Sequence, residues 1–273
     1  MKQVKFIHLT DTHMNAPHTE GPFVKHRFAD KVKQVFAHVQ QSGLAPSFVL
    51  ITGDLSHEGN AEDYAYIRTV LDECSALVGA PVYVVLGNHD HRSAFRQGYL
   101  GETPSEEAYY YSVTIDGLRL IGLNSQTPGK HSGELDEAQL AWLDEQLSTT
   151  APLGTIVGIH HPLLHVGGMS PDHLLANMEA IGQRLRQSDV VGIMAGHVHS
   201  HNVGRYQGVL SVAASGTAFA GEIVDKDHFR MYHFCSYNIV SVHPDGVSVQ
   251  TVILPDSNAE IARFQMSLMA AQH

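Results

Sequence analysis

Short, wholly apolar runs alternate with helix-periodic segments along most of this chain, and few folds accommodate that alternation. Residues 47–52, 81–86, 118–123, 155–159 and 190–195 are dense in Val, Ile and Leu, as strands buried on both faces are. The run Val4-Lys5-Phe6-Ile7-His8-Leu9 alternates as a further strand. Between these runs, Phe28, Val32, Val35, Phe36 and Val39 keep the spacing of an amphipathic helix that ends at Gly43. Tyr64, Ile67, Leu71, Cys74 and Leu77 make a second stripe behind Asn60 as N-cap. Leu140, Leu143 and Leu147 make a third, with Asp136 and Gln139 in capping-box spacing. Leu174, Leu175, Met178, Ile181 and Leu185 make a fourth, with Ser170 as cap and Pro171 at the first helical position.

Beyond residue 200 the rhythm becomes that of consecutive strands, at 203–206, 209–213, 234–242 and 247–254. His243-Pro244-Asp245-Gly246 is the hairpin turn between the last two. Residues 258–271 read as a surface helix. The pattern predicts an α/β fold in which βαβ units precede an antiparallel portion and helices cover two central sheets. No repeat or linker interrupts it. Residues 1–273 are therefore expected to form a single domain, with 200–273 mainly β and ending in the terminal helix.

Composition narrows the partners. The net charge is -11 with histidine neutral, which argues against a nucleic-acid polymer, because phosphate backbones are bound by clustered Lys and Arg. A small anionic substrate stays open, since bound metal ions reverse the local field. Cys74 and Cys235 stand far apart without CxxC spacing, which disfavours a disulfide framework and a thiolate zinc site. No apolar run approaches the roughly 18 residues of a membrane span, and no signal-like segment precedes the first strand. The expectation is a soluble, cytoplasmic protein with no membrane partner.

Ligands of such folds bind beyond the carboxyl ends of the strands. Asp11 and His13 follow the first strand, Gly53-Asp54 the second and Gly87-Asn88-His89-Asp90 the third. His160-His161-Pro162 follows the run at 155–159, and Gly196-His197-Val198-His199 follows the run at 190–195. One such end means little, because polar residues collect where strands enter loops. Five in succession, all oxygen and imidazole donors without sulfur, point to Mn, Fe, Co, Ni or Zn. Two side chains one residue apart in a loop can converge on one ion or divide between two. Most of the 20 histidines must be ordinary. His18, His26, His38, His57 and His91 show no metal-type pairing, and His8 reads as a packed or surface residue. His161 points away from His160 along an extended segment, and His131 and His165 read as loop-surface residues.

In this order and spacing, Asp11-x-His13, Gly53-Asp54, Gly87-Asn88-His89-Asp90, His160 and Gly196-His197-x-His199 resemble the calcineurin-like metallophosphoesterases. Within them the chain looks most like the branch of class III cyclic nucleotide phosphodiesterases and bacterial glycerophosphodiesterases. The motifs span residues 11 to 199; the last stretch carries none. The resemblance implies a four-layer α/β/β/α sandwich of two mixed sheets flanked by helices. It implies two divalent or trivalent transition-metal ions (Mn, Fe, Zn or Co). Asp11, His13, Asp54 and His199 would hold one, and Asp54, Asn88, His160 and His197 the other, with Asp54 shared. His89 and Asn88 would be the catalytic pair, His89 approaching substrate without binding metal.

The expected reaction is hydrolysis of a small phosphodiester by in-line attack of a metal-bound hydroxide, with His89 serving the leaving alkoxide. Phosphoprotein phosphatases carry Gly-Asp-x-Val-Asp-Arg-Gly and Gly-Asn-His-Glu. This chain has Gly53-Asp54-Leu55-Ser56-His57-Glu58-Gly59 and Asp90 in those places, which sets that class aside. A phosphomonoesterase of the same fold and a non-catalytic scaffold are the alternatives. Selectivity is expected from the loops at 14–27, 92–107, 125–134, 165–171 and 216–233. In them Arg92 and Arg96 are candidates for a second anionic group, and Tyr99, Phe219 and Phe229 for base stacking. These residues do not choose between a cyclic nucleotide and a glycerol-type diester. A homo-oligomer is open, with the C-terminal strands and Ile261, Phe264, Met266 and Met269 as one candidate interface.

Overall fold

The structure, a computed structural model, describes residues 3–20, 26–167, 173–225 and 227–265. Strands β1 (Val4–Leu9), β2 (Phe48–Thr52) and β3 (Val82–Val85) run parallel, linked by helices α1 (Phe28–Gln41) and α2 (Ala61–Val78). The hairpin β12 (Ser236–His243) and β13 (Gly246–Ile253) extends this sheet beside β1, in the order β13-β12-β1-β2-β3. The second sheet contains β4 (Tyr111–Ile115), β5 (Leu118–Gly122), β6 (Thr155–Gly158), β7 (Val190–Ala195), β8 (Asn202–Tyr206) and β9 (Val209–Ala213). Its order is β4-β5-β6-β7-β9-β8, parallel within and antiparallel at both edges. Helices α4 (Glu137–Leu147) and α5 (Met178–Arg186) belong to it. After β3, α3 (Arg92–Phe95) runs into a π-helical turn over Arg96–Leu100.

The two-residue period of a strand sorts these sheets into layers. Val4 and Phe6 of β1 pack with Phe48 and Leu50 of β2 against Leu120, Ile156, Met194 and Val212 of the second sheet. Their neighbours Ile7, Leu9, Val49 and Ile51 face the other way, onto Val32, Val35, Phe36, Ile67 and Leu71 of α1 and α2. In the second sheet Ile121, Val157 and Ile193 turn onto Leu140, Leu143, Ile181 and Leu185 of α4 and α5. Helices therefore flank both sheets, as expected of the α/β class. Cys74 and Cys235 are unpaired and buried. Among the described residues no helix is long and apolar enough to cross a membrane.

Several local expectations are corrected. The segment 216–233, expected as loop, contains β10 (Phe219–Ile223) and β11 (His228–His233). The expected terminal helix is instead a strand over its described part, β14 (Glu260–Gln265), which pairs with β11. An open sheet edge offers that segment backbone partners, and this outweighs its helical spacing of apolar residues. Residues 266–273, Met266 and Met269 included, lie outside the described residues. Strand β4 went unrecognised although its signal is present: Asp116-Gly117, both at positive φ, forms the two-residue turn to β5. Helix α5 starts at Met178, after buried Leu174 and Leu175, and the expected cap at Ser170 and Pro171 lies outside the described residues. Asn60 and Asp63 close a capping box on α2. Asp136 caps Gln139 N at 2.8 Å, but the Gln139 side chain bonds the Asn124 backbone, so that box stays open.

Phe6 is fully buried and stacks on Phe48 at 4.5 Å between the sheets. Phe6→Ala is expected to cost about 3–5 kcal/mol in urea unfolding of the metal-free protein. A loss below 1 kcal/mol would mean that the sheets do not meet through this ring.

Candidate active site

The carboxyl ends of β1, β2, β3, β6 and β7 lie together. Their loops are joined by backbone bonds, Asp11 N to Gly53 O at 3.0 Å and His13 N to Asp54 O at 2.9 Å. Ten described non-glycine residues have positive φ, and Asp11, His13, Asp54, His197 and His199 are five of them. That conformation is costly for a residue with a Cβ, so half of this strain sits on the anticipated ligands. Gly196 lets β7 approach β1. A methyl there would run into Thr10 Oγ1 and Asp11 Oδ2.

Asp54 stands between two groups of donors. Its Oδ2 lies 3.7 Å from His13 Nε2, which is 3.4 Å from His199 Nε2. His199 Nε2 is 3.2 Å from Asp11 Oδ1. One donor atom from each of Asp11, His13, Asp54 and His199 falls within 4.8 Å of all the others, and all four residues are buried. Asp54 Oδ1 lies 3.4 Å from His160 Nε2. Asn88 Oδ1 is 3.1 Å from that nitrogen and 2.9 Å from His197 Nδ1. Every residue anticipated as a ligand is thus in one of two adjoining clusters.

These clusters fit metal cations. Asp11 Oδ2 accepts from Thr10 Oγ1 at 2.7 Å and His197 N at 3.0 Å, while Oδ1 is buried without a donor. Such an oxygen costs stability unless a cation faces it. Burial holds His13 and His197 well below the ordinary imidazole range, leaving neutral rings with lone pairs. Burial also works against charge on Asp54 and His160. Their mutual attraction nevertheless keeps Asp54 well below the carboxylate range and lifts His160 to about 9. Without metal, a proton on His160 therefore offsets the Asp54 charge.

Each ring is held from behind, as metal-binding imidazoles commonly are. His160 Nδ1 bonds Thr52 O at 2.8 Å, His197 Nε2 bonds His173 O at 2.6 Å and His199 Nδ1 bonds Phe219 O at 3.2 Å. His13 Nδ1 lies 3.3 Å from His57 Nδ1. Phe219, a base-stacking candidate from sequence, is instead 1% exposed and stacked on the rings of His199 at 4.3 Å and His13 at 4.9 Å.

The loop after β3 carries Asn88 and His89. His89 Nδ1 lies 2.9 Å from Glu58 Oε1, and His91 Nε2 lies 3.0 Å from Glu58 Oε2. Burial opposes the charged ring, but the Asp54 and Glu58 carboxylates outweigh it and raise the pKa of His89. Asp90 both closes its own turn and clamps the loop after β2. Its Oδ2 accepts from Leu55 N and Gly87 N, and its Oδ1 from Ser56 N and Tyr64 Oη. Burial and then the Asp54 charge raise Asp90 to about 6, so it is ionised at neutral pH.

Sequence reasoning missed His57, Glu58 and Tyr64, because nothing in their spacing marks a partner. The arginine and remaining aromatic candidates lie elsewhere, while His161 packs beside His160 and His197. Arg92 bonds Gln126, Asn124 and the Glu106 carbonyl, and Arg96 pairs with Glu102 at 2.7 Å. Tyr99 stacks on Phe95 in the α2 core, and Phe229 lies in β11. His161 is buried, 2.8 Å from Ser125 Oγ and 2.9 Å from His131 O.

Residues 4–201 match the family described as calcineurin-like phosphoesterase. The chain is 36% identical over 232 residues to a cAMP/cGMP dual specificity phosphodiesterase of Mycobacterium tuberculosis (strain CDC 1551 / Oshkosh), covering 82% of this chain and 71% of that protein. It is 29% identical over 216 residues to the glycerophosphodiester phosphodiesterase GpdQ of Enterobacter lignolyticus (strain SCF1), covering 73% and 72%. A crystal structure of a dimetal phosphatase from Danio rerio superposes with a TM-score of 0.56 at 16% identity, covering 90% of this chain and 98% of that one. That likeness is one of fold.

Both Asp90 oxygens accept two donors each. Asp90→Asn turns an amide NH₂ onto one pair and is expected to cost at least ~2 kcal/mol in urea unfolding. Wild-type stability would show that the four donors do not converge on this carboxylate.

Proposed function

The chain belongs to the calcineurin-like phosphoesterase family, and on that premise we propose that it hydrolyses small phosphodiesters at a binuclear metal centre. One observation carries the reading: Asp54 presents its two oxygens to two separate donor clusters. Asp11, His13, Asp54 and His199 hold the first ion. Asp54, Asn88, His160 and His197 hold the second. Oxygen and imidazole donors without sulfur suit Mn, Fe, Zn or Co. Two such ions, when bound, stabilise developing phosphoryl charge and lower the pKa of a water towards ~7.

The chain's own residues supply the rest. Asn88 Oδ1 is a neutral donor, so it adds no negative charge where an anionic ester must approach. Its Nδ2 is 3.4 Å from His131 Nδ1, which ties its amide to the facing loop. Glu58 engages His89 at Nδ1, leaving Nε2 as the nitrogen that hands a proton to the leaving alkoxide. The Glu58 carboxylate at Nδ1 favours the protonated ring.

The diester class follows from the arginines and from the relatives' chemistry. A guanidinium fork is a common device for holding a monoester dianion or a second phosphate. Arg92 and Arg96 are spent on protein partners. Among the described residues, the side chains joined around the two clusters are imidazoles, carboxylates and an amide. A diester carries one charge and asks for no more. The similar proteins named above act on cyclic nucleotides and glycerophosphodiesters, and both are diesters of this kind. With a net charge of -11, the chain is a poor partner for a nucleic-acid polymer.

The Mn²⁺-loaded protein is expected to turn over 3′,5′-cyclic AMP or a glycerophosphodiester in preference to a generic phosphomonoester at neutral pH. Preference for the monoester would overturn the diester reading. His89→Ala is expected to retain both ions and slow hydrolysis by about 10²–10⁴-fold. The loss should shrink for substrates with very good leaving groups. An equal loss for all leaving groups would remove proton donation from His89.

A further inference from the structure

Of the four imidazoles assigned to the ions, one is supported differently from the rest. A ring that gives one nitrogen to a cation carries its proton on the other, and something must accept that proton. Backbone carbonyls of Thr52, His173 and Phe219 do this for His160, His197 and His199. A carbonyl has only lone pairs and no alternative role. Behind His13 stands a side chain, with His57 Nδ1 3.3 Å from His13 Nδ1.

His57 is also tied to the loop that carries His13. Asn15, two residues beyond His13, bonds the His57 backbone at both ends: Oδ1 accepts from His57 N at 3.4 Å and Nδ2 donates to His57 O at 3.2 Å. The His57 ring centroid is 5.4 Å from that of His13, and the ring is stacked on His89 at 4.7 Å with 29° between planes. We propose that His57 is the positioning residue of the first ion site. Its Nδ1 accepts the His13 Nδ1–H and so fixes the ring orientation in which His13 Nε2 faces Asp11, Asp54 and His199. This rests on the metal reading above and goes beyond it, because His57 belongs to neither cluster of ligands. It also assigns His57 a single tautomer, with its own proton on Nε2.

The test is equilibrium Mn²⁺ binding to metal-stripped protein, followed by electron paramagnetic resonance, for wild type, His13→Ala, His57→Asn and His57→Phe. Asn places Oδ1 about where His57 Nδ1 stands and keeps the acceptor. Phe keeps the ring against His89 and loses the acceptor. His57→Phe is expected to weaken one of the two Mn²⁺ sites by ~10–100-fold, the usual effect of removing such a partner, and to leave the other unchanged. His13→Ala should weaken the same site, and His57→Asn should bind as wild type does. The proposal is overturned if His57→Phe binds both ions normally, or if His57→Asn loses as much as His57→Phe. It is also overturned if His57→Phe weakens a site that His13→Ala leaves intact. Wild-type protein that binds no Mn²⁺ would instead remove the metal reading, and a result already present in wild type cannot be mistaken for an effect of His57. Should His57→Phe not fold, His57→Leu makes the same comparison.

Discussion

The burial of the Asp54 carboxylate is the constraint on which the rest depends. A charge 1% exposed at the meeting of two sheets is costly by several kcal/mol unless opposite charge and hydrogen-bond donors surround it. The fold supplies both from separate strand ends: the His89 N–H at 3.0 Å and the imidazoles of His13 and His160. Each of these arrives on a different strand of β1, β3 or β6. Packing β1 and β2 against β5, β6 and β7 through Phe6, Phe48, Leu120 and Ile156 is therefore what makes the centre possible. A slip of one residue in β1 would exchange Phe6 with Ile7 between layers and carry Asp11 out of reach.

The same junction explains where the strain lies. Asp11, Asp54, His197 and His199 adopt left-handed backbone immediately after their strands. This turns each side chain back across the sheet ends instead of along the strand direction. The cost is met by cross-loop bonds such as Met14 N to Leu55 O at 2.8 Å and by the Asp90 clamp on Leu55, Ser56 and Gly87. Asp90 thus supports two ligand loops at once while touching neither cluster. The small sheet of β10, β11 and β14 is coupled to the centre through Phe219, whose carbonyl and ring both bear on His199.

The central strands, the helices that cover them and the side chains that converge at the strand ends are legible because each leaves a periodic or positional mark. Val, Ile and Leu runs are buried on both faces, and a ligand at a strand end has a fixed distance from its run. The supporting residues leave no such mark. His57 and Glu58 were indistinguishable from ordinary loop residues until the loop after β2 was folded beside His13 and His89. Phe219 read as a base-stacking candidate because an aromatic in an apparent loop and an aromatic in an edge strand look alike in sequence. The β14 segment read as a helix because Ile261 and Phe264 satisfy helical spacing. Its backbone pairing with Arg230 and Phe229 is a tertiary fact.

Histidine abundance has a physical reading in this arrangement. A centre built for an anionic ester must bind cations tightly without surrounding them with so many carboxylates that the ester is repelled. Asp11 and Asp54 are the only carboxylates of the two described clusters, and the remaining donors are neutral imidazole and amide. Under the proposed binuclear reading, two divalent ions would leave a positive surplus that no lysine or arginine has to provide. Imidazole suits the surrounding positions for the same reason, since burial keeps His57 down at about 4 and His161 at about 3. These rings can pack against one another around the ions without adding charge of either sign. Under that reading a strongly acidic chain would carry a local site for phosphate, and the site's attraction for the ester would come and go with the metal.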